Sequence, residues 1–354
     1  MKVALVYDRV NKWGGAERVL LALHKIFPKA DLYTSVYNPQ RAIWAKVFKI
    51  RTSFLQNFPN SKSSHESYAA LMPIAFESFD FSEYNFVISV TSEAAKGIIT
   101  KPGTTHISYI LTPTRYLWSA YDIYFKNSVL RIISKPVISY LRKWDKIAAQ
   151  RPDEIIAIST EVKERIKKYY GRNSNIIFPP LSISSEPNSA RGEYFLLVSR
   201  LVPYKKVDIA IDAFNDLGLH LKIVGSGWEE NNLKRKAKEN IEFVKNLTDS
   251  QLSTYYQNCK ALIFPGLEDF GLTMVEAQGF GKPVIAFRGG GALEIVKEGI
   301  TGEFFDEENK ESLKKVVENF DGKRYNDKLC RQNAERFSFA VFKKEFLKLV
   351  KNKV

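Results

Sequence analysis

The chain alternates short apolar strands with amphipathic helices, and it does so in two separate runs. The first run opens with an apolar strand at residues 2–7, a glycine-bearing turn, and a helix at 16–27 whose apolar residues recur at helical spacing. The pattern pauses at 182–193, a stretch rich in Ser, Pro, Asn and Gly, and restarts with a strand at 194–199. Alternating strands and helices predict parallel sheets with right-handed crossovers. The sequence therefore predicts two doubly wound, Rossmann-like α/β domains joined by a linker.

Length and composition agree with two such domains. The chain has 354 residues, of which 45% are hydrophobic, so each domain has enough apolar material for a core. We place the N-terminal domain at residues 1–187 and the C-terminal domain at 188–336. Residues 53–75 are polar and are predicted to form a loop.

The charge and the N-terminus narrow the choice of partner and compartment. The formal net charge of +14 favours anionic partners, which include nucleotides, phospholipid surfaces and nucleic acids, although exposed helix lysines explain it equally well. The apolar run at the N-terminus stops at Asp8, too early for a secretory leader, and no run is long enough to cross a membrane. Cys259 and Cys330 fit a reducing compartment. We expect a cytoplasmic protein.

The turn after the first strand carries Gly14 and Gly15 directly before a helix. Glycines let a ligand approach the backbone closely, and the N-terminus of a helix offers free N–H groups and a partial positive charge. A phosphate or a carboxylate fits such a turn, although two glycines also make an ordinary tight turn.

A second turn, after the strand at 194–199, carries Arg200 and Lys205. Both cations can reach a diphosphate, the guanidinium as a fork and the ammonium as a point charge. The alternative is a solvated basic loop.

A third turn carries Glu268 and, eight residues later, Glu276. A helix is predicted to start near Gly271, which would point the N–H groups of Gly271, Leu272 and Thr273 toward the ligand that Glu268 faces. Carboxylates hold sugar hydroxyls and helix N–H groups hold phosphate, so this pattern suits a sugar attached to a phosphate.

These turns together resemble the retaining glycosyltransferases of family 4, which have the GT-B fold. The resemblance rests on Gly14-Gly15, on Arg200 with Lys205, on Gly225-Ser226-Gly227, and on the run from Glu268 to Glu276, and it extends over nearly the whole chain. It implies two Rossmann-like domains facing across a cleft, with a last helix at 337–354 that crosses back to the N-terminal domain.

The resemblance also implies roles for these residues. Arg200, Lys205 and Glu268 would be catalytic. The donor, a nucleotide-sugar, would be bound by a larger set: Gly14, Gly15, Arg200, Lys205, Gly225, Glu268, Phe270, Gly271, Leu272, Thr273 and Glu276. Glu276 would hold the ribose. The cations and helix N-termini would replace a metal, so no metal and no cofactor are expected.

A subgroup is indicated by the segment from Leu111 to Trp118. Its Thr-Pro-Thr-Arg-Tyr-Leu-Trp is similar to the corresponding segment of bacterial GDP-mannose-dependent mannosyltransferases. The resemblance implies GDP-mannose as donor. One departure is Leu111, which stands where the family has a histidine thought to lie near the donor sugar. His106 does not replace it, because an odd spacing along one strand points the two side chains to opposite faces.

The acceptor is expected on the N-terminal domain, with Arg115, Tyr116 and Trp118 on its binding side. Aromatic and basic residues occur together from 116 to 151, which suits a lipid-linked acceptor or the anionic inner face of the cytoplasmic membrane. The alternative is a core helix pair with solvated cations.

The sequence thus predicts a hexosyltransferase that glycosylates a glycan or lipid-linked hydroxyl in polysaccharide or glycolipid biosynthesis. Three alternatives stay open: a UDP- or ADP-sugar donor, a catalytically impaired nucleotide-sugar or glycan binder because of Leu111, and a nucleic-acid binder. Nucleic acid is not expected as a partner, because Glu268 and Glu276 would lie at the anion site.

Overall fold

The chain folds into two compact units. The structure, a computed structural model, describes residues 2–125, 127–181 and 192–351. Unit 1 takes the described residues up to Phe178 and those from Lys343 onward, and unit 2 runs from Pro179 to Phe342. The predicted domain boundary between residues 187 and 188 lies outside the described residues, as does most of the predicted linker.

Unit 1 is built on a seven-stranded sheet in the order β3-β2-β1-β4-β5-β6-β7, in which neighbouring strands are parallel. Its strands are β1 (Val3–Tyr7), β2 (Asp31–Thr34), β3 (Ile50–Thr52), β4 (Phe86–Thr91), β5 (Thr105–Ile110), β6 (Glu154–Ala157) and β7 (Asn175–Ile176). Its helices are α1 (Gly15–Ile26), α2 (Met72–Glu77), α3 (Tyr121–Tyr124), α4 (Ser128–Ala148) and α5 (Thr160–Tyr170).

Unit 2 is built on a six-stranded parallel sheet in the order β10-β9-β8-β11-β12-β13. Its strands are β8 (Tyr194–Val198), β9 (Leu221–Val224), β10 (Ile241–Val244), β11 (Cys259–Phe264), β12 (Val284–Phe287) and β13 (Gly302–Phe305). The helices that follow are α6 (Val207–Leu217), α7 (Glu230–Lys236), α8 (Asp249–Gln257), α9 (Leu272–Gly279), α10 (Ala292–Ile295), α11 (Lys310–Glu318), α12 (Asp327–Glu335) and α13 (Phe339–Lys351).

The predicted α/β class with two doubly wound parallel sheets is confirmed. The central strands are buried along their whole length, as β1 and β4 show, and this explains why they appear in the sequence as continuous apolar runs rather than as alternating patterns. Each unit packs its own apolar cluster between sheet and helices.

The last helix begins in unit 2 and ends in unit 1. The boundary between the units falls inside α13, before Lys343. In unit 1, the buried Phe346 of α13 packs edge-on against Phe27 at the end of α1, with ring centroids 6.3 Å apart.

The loop prediction for residues 53–75 is wrong in its local structure. This segment contains short 3₁₀ helices at Phe54–Asn57 and His65–Leu71, followed by the start of α2. Leu55 and His65 are buried. The polar composition misled because the buried side chains are few and do not recur at the spacing of a long helix.

Among the described residues, no helix has both the length and the apolar character that crossing a bilayer requires.

A buried ion pair anchors α4 in unit 1. The Lys96 ammonium lies 2.5 Å from the Asp145 carboxylate, and both side chains are 1% exposed. The same carboxylate accepts hydrogen bonds from Thr114 Oγ1 (3.1 Å), Trp118 Nε1 (2.7 Å) and the Tyr170 hydroxyl (2.8 Å). Because Asp145 is fully satisfied, it holds α4, α5 and the segments after β4 and β5 together.

We expect Asp145→Ala to destabilise unit 1 by about 3–5 kcal/mol, because it leaves the Lys96 ammonium buried without its carboxylate. Urea unfolding followed by tryptophan fluorescence measures this, since four of the five tryptophans lie in residues 1–178. The control in the same unit is Asp122→Ala, which breaks a pair with Arg131 whose side chains are 80% and 54% exposed. It should cost no more than about 1 kcal/mol. Equal losses would contradict the anchoring role of Asp145.

Candidate active site

The strand order gives unit 2 one point where the sheet reverses its winding direction. After β8 the chain proceeds to β9 on one side, and after β11 it proceeds to β12 on the other. Ligands of open parallel sheets bind beyond the carboxyl ends of the strands at such a point. The two turns that leave β8 and β11 are the turns that carry Lys205 and Glu268.

Lys205 and Glu268 form an ion pair at this point, between the Lys205 ammonium and Glu268 Oε1. The side chains are 15% and 13% exposed, so the pair is shielded but reachable. The structure thus brings together a cation predicted for phosphate and a carboxylate predicted for sugar hydroxyls.

Arg200, the other predicted phosphate-binding cation, is exposed and contacts Tyr204. Its guanidinium donates a hydrogen bond to the Tyr204 hydroxyl and lies 5.9 Å from the centre of the Tyr204 ring. The Lys205 ammonium lies 5.5 Å from the same ring. Both predicted phosphate-binding cations therefore lie within 6 Å of the Tyr204 ring centre.

The N-terminus of α9 follows Glu268 directly. Gly271 has a positive φ of 98° and caps the helix, and Leu272 and Thr273 form its first turn. The first N–H groups of a helix have no partner further along it, so those of Leu272 and Thr273 can serve an anion, whereas the Met274 N–H donates to the Gly271 carbonyl at 3.0 Å. The Phe270 ring, by contrast, is 3% exposed and packs edge-on against Phe337. The Phe270 side chain is therefore used in packing, and a contact of its backbone with the donor stays a prediction.

Glu276 lies in the fifth position of α9 and is 4% exposed. Its Oε2 accepts a hydrogen bond of 2.8 Å from the Tyr256 hydroxyl of α8. The Tyr256 ring stacks on Phe280, with centroids 5.4 Å apart and planes 8° apart. Tyr256 thus fixes the orientation of the carboxylate predicted to hold ribose. No local sequence pattern relates Tyr256 to Glu276, which are 20 positions apart.

Two glycines let the turns of unit 2 pack backbone against backbone. Gly225, after β9, has a φ of 152°, and a Cβ there would lie 1.8 Å from the Ser199 carbonyl oxygen. A Cβ on Gly291 would lie 2.2 Å from the Phe270 carbonyl oxygen, and its N–H donates to the Glu268 carbonyl at 2.9 Å. The predicted ligand contact of Gly225 stays a prediction, and close turn packing already accounts for the glycine.

Gly14 and Gly15 lie at the start of α1 as expected, but a carboxylate lies beside them. Glu17, in the first turn of α1, is 1% exposed and accepts a hydrogen bond of 2.6 Å from the Tyr7 hydroxyl. Its Oε2 would lie 3.2 Å from a Cβ on Gly14. A negative group here competes with an anionic ligand for the helix N-terminus. The phosphate contact at Gly14 and Gly15 stays a prediction.

Asp8 organises the reversal point of the sheet in unit 1, between β1 and β4. The backbone N–H groups of residues 92–95 all donate to its carboxylate at 2.7–3.0 Å. Burial and the nearby Glu93 carboxylate raise the pKa of Asp8 above its ordinary value. Arg9 pairs with Glu93 at 2.6 Å, with side chains 13% and 19% exposed.

The three predicted acceptor residues make packing contacts or are partly buried within unit 1. Trp118 donates to Asp145 and stacks on Tyr169, with centroids 5.2 Å apart, so it packs α4 against α5. Tyr116 packs against the cluster around Leu117, and burial raises its pKa well above the ordinary value. Arg115 is half-buried. An acceptor contact of these three residues stays a prediction.

His106 does not replace the missing histidine at Leu111. It is 1% exposed, and its Nε2 lies 2.9 Å from Ser89 Oγ inside the sheet. The buried histidine that does lie near the turn after β1 is His65, whose Nδ1 is 3.4 Å from Asn11 Nδ2. Burial and the charge of Arg9 lower the pKa of His65 to about 4. No sequence pattern relates Asn11 to His65, which are 54 positions apart.

Comparison with known families finds a match over part of the chain. Residues 182–337 match the family of glycosyl transferases group 1. This range contains Arg200, Lys205, Glu268 and Glu276.

Relatives cover parts of the chain. An uncharacterized glycosyltransferase of Methanocaldococcus jannaschii is 28% identical over 202 residues, which are 56% of this chain and 58% of that relative. The GDP-mannose-dependent alpha-(1-6)-phosphatidylinositol monomannoside mannosyltransferase of Mycolicibacterium smegmatis is 30% identical over 138 residues, 34% of this chain and 36% of the relative. The chain spans little more than half the length of the first relatives it matches.

The likeness to solved structures extends over the whole chain. Anabaena HepE, solved with UDP and with UDP-glucose, aligns with a TM-score of 0.74 for the UDP complex at 18% identity, covering 99% of this chain and 100% of that one. The predicted GT-B fold is confirmed.

The turn packing predicts that Gly225→Ala destabilises unit 2 by about 2 kcal/mol or more, because its φ favours glycine and the new methyl group would meet the Ser199 carbonyl. Chemical denaturation followed by circular dichroism measures the loss. Gly322→Ala is the control, since a Cβ there has only ordinary contacts, the nearest at 3.5 Å. A Gly225→Ala protein as stable as that control would contradict the close packing.

The burial of His106 predicts a pH dependence of stability. Burial and, to a smaller extent, Arg151 lower the pKa of His106 from 6.5 to about 3. Between these values the unfolded chain binds a proton that the folded chain does not, so stability falls as the pH drops below about 6.5. His106→Gln should reduce the loss of unfolding free energy between pH 7 and 5 by about 2 kcal/mol.

Urea unfolding of unit 1 at the two pH values tests this expectation. Ser89→Ala is the control, because it removes the Oγ that lies 2.9 Å from His106 Nε2 but keeps the imidazole, and it should keep the pH dependence. An unchanged slope in His106→Gln would show that other groups cause the acid sensitivity.

Proposed function

Since the chain carries a glycosyltransferase group 1 domain and has the GT-B fold, we propose that it is a retaining glycosyltransferase. It moves a hexose from a nucleotide diphosphate to an acceptor hydroxyl, in polysaccharide or glycolipid biosynthesis. The observation that carries this proposal is the pairing of Lys205 with Glu268 where the sheet of unit 2 reverses, directly before the N-terminus of α9.

Each group at that point has a task in the proposed reaction. Lys205 and Arg200 bind the diphosphate, the N–H groups of Leu272 and Thr273 add a second set of donors, and Glu268 binds sugar hydroxyls. Glu276, oriented by Tyr256, binds the ribose. In the absence of donor, the ion pair neutralises Lys205 and Glu268 until phosphate and hydroxyls take their places.

Electrostatic stabilisation supplies most of the proposed catalysis. The leaving diphosphate gains negative charge as the glycosidic bond breaks, and the two cations and the start of α9 stabilise that charge. By analogy with the family, the acceptor attacks from the face that the diphosphate leaves, through a short-lived oxocarbenium–phosphate pair, and the phosphate takes the acceptor proton. The reaction as proposed needs no metal, because the cations do the work of a metal at the diphosphate.

GDP-mannose is the donor we propose. The segment from Thr112 to Trp118 supports it, as does the M. smegmatis relative, whose name states GDP-mannose dependence. A UDP-sugar is the second candidate, favoured by HepE, which was solved with UDP-glucose. Leu111 favours a third possibility, a protein that binds donor without transferring the sugar.

The acceptor we propose is a glycan or a lipid-linked hydroxyl, reached at the inner, anionic face of the cytoplasmic membrane. The net charge of +14 supports an anionic surface as partner.

Thermal shift with GDP, GDP-mannose, UDP, UDP-glucose and ADP-glucose tests the donor. A ligand at a hundred times its Kd stabilises the folded state by about 2.7 kcal/mol. We expect shifts with the guanine compounds and not with the others. Shifts with only the uracil compounds would move the assignment to a UDP-sugar. Donor binding without hydrolysis or transfer in a radiolabelled-sugar assay would identify an impaired enzyme.

Two adjacent lysines offer a matched test of the catalytic pair. Lys205→Ala should lower the transfer rate by about 10²–10³-fold, because it removes a cation from the developing charge. Lys206→Ala removes the neighbouring ammonium, which pairs with Glu308 at 3.3 Å instead, and should leave the rate near that of the wild type. The measurement is kcat with the donor identified by thermal shift. Equal effects of the two substitutions would contradict the role of Lys205.

A further inference from the structure

The helix α4 is apolar on two opposite faces. Its inner face buries Ile138 and Leu141 against Leu117 and presents Asp145 to Lys96. Its outer face carries a second row of apolar side chains, which we call the outer stripe: Val129, Ile132, Ile133, Val137 and Tyr140.

The outer stripe is continuous and exposed. Val129 lies three and four residues before Ile132 and Ile133, Val137 follows Ile133 by four, and Tyr140 follows Val137 by three. Spacings of three and four place side chains side by side along one face of a helix. Val129, Ile132 and Ile133 are 62%, 72% and 70% exposed. Single exposed aliphatic residues are common on proteins, but a row of them on one helix is typical of a surface that meets an apolar partner.

The charges around the outer stripe are positive. Three exposed lysines lie on α4: Lys135, Lys143 and, about one turn after Lys143, Lys146. The one acidic residue in the sequence of α4 is Asp145, which is buried and neutralised by Lys96. The helix therefore presents aliphatic side chains and cations together, with no exposed carboxylate of its own.

The aromatic residues that made this segment a membrane candidate in the sequence are mostly turned inward. Trp118, Tyr121 and Phe125 pack against the cluster on the inner side of α4. The Arg142 guanidinium lies 4.5 Å from the Tyr121 ring centre. The exposed surface of this segment is therefore mainly aliphatic, with Tyr140 as the aromatic member of the outer stripe.

We propose that the outer stripe, with Lys135 and Lys143, docks unit 1 onto an anionic lipid bilayer. Aliphatic side chains enter the headgroup boundary and lysines beside them attract anionic lipids, which is how a helix lies in a membrane surface. A second copy of the chain fits less well, because facing stripes would bring the lysines of two copies together. This inference deepens the proposed membrane contact and is independent of the donor.

Flotation with lipid vesicles tests the surface without any sugar nucleotide. We expect the full chain to bind vesicles of phosphatidylcholine with phosphatidylglycerol more strongly than phosphatidylcholine alone. Ile132→Ser/Ile133→Ser should weaken binding by about tenfold or more, because two aliphatic side chains no longer enter the lipid. Lys135→Ala/Lys143→Ala should weaken it by about 25-fold on anionic vesicles, about fivefold per lysine.

Matched pairs elsewhere in unit 1 serve as controls. Ile43→Ser/Val47→Ser removes two exposed aliphatic residues of 63% and 55% exposure, and Lys29→Ala/Lys62→Ala removes the same charge from exposed positions outside α4. Both should bind like the wild type, and circular dichroism checks that all variants are folded.

Three results would overturn the proposal: no binding by the wild type, equal losses in the stripe and control pairs, or a wild-type dimer that the Ile132/Ile133 variant abolishes without any vesicle binding. A protein that binds vesicles but transfers no sugar would leave this inference standing and defeat the proposed activity instead.

Discussion

The buried ion pair between Lys96 and Asp145 is the interaction on which unit 1 depends. The Asp145 carboxylate accepts hydrogen bonds or an ion pair from three separate parts of the chain. These are the segment after β4, the segment after β5, and α5. Two isolated charges would be too costly to bury, but here every lone pair of the carboxylate has a partner. The inner face of α4 is thereby held in one orientation, and this orientation decides which residues of α4 are left facing outward.

Unit 2 depends on close contact between backbones rather than on a buried charge. Its turns after β8, β9, β11 and β12 pack so closely that a methyl group at Gly225 or Gly291 would meet a carbonyl oxygen. Turns packed this closely have little freedom to move. The closely packed turns therefore hold Lys205 and the N-terminus of α9 in fixed positions. Donors held in fixed positions need little reorganisation when charge develops on a ligand.

The sequence predicted what is local and missed what is distant. Strand, turn and helix follow each other within about thirty residues, so apolar spacing and glycines suffice to find them. Glu268 and Glu276 lie eight residues apart around one helix start, and the placement of α9 at Leu272–Gly279 matches that expectation. The short strand β3 has three residues, too few to show a pattern.

Long-range partners carry no local signal. Lys96 and Asp145 are 49 positions apart, and neither residue type predicts burial, since lysine and aspartate are usually exposed. Trp118 is expected on the acceptor side because aromatic and basic residues occur together around it. The same residue types also occur in packed segments, and here the Trp118 indole donates to the buried Asp145 carboxylate. His65 also has no local sequence signal, because its burial comes from the fold around it and not from its neighbours in the chain.

The ion pair at the reversal point of unit 2 has a consequence for product release in the proposed reaction. Glu268 pairs with the Lys205 ammonium, to which the proposed reaction also assigns the donor's diphosphate, so the two anions would compete for one cation. With an intact nucleotide-sugar, the sugar hydroxyls compensate Glu268 for the loss of Lys205. Once the sugar has left, Glu268 has no hydroxyls to bind, so it recaptures Lys205 and weakens the hold on the spent nucleotide. In the proposed reaction, the two side chains that bind the substrate would thus also weaken the binding of the product.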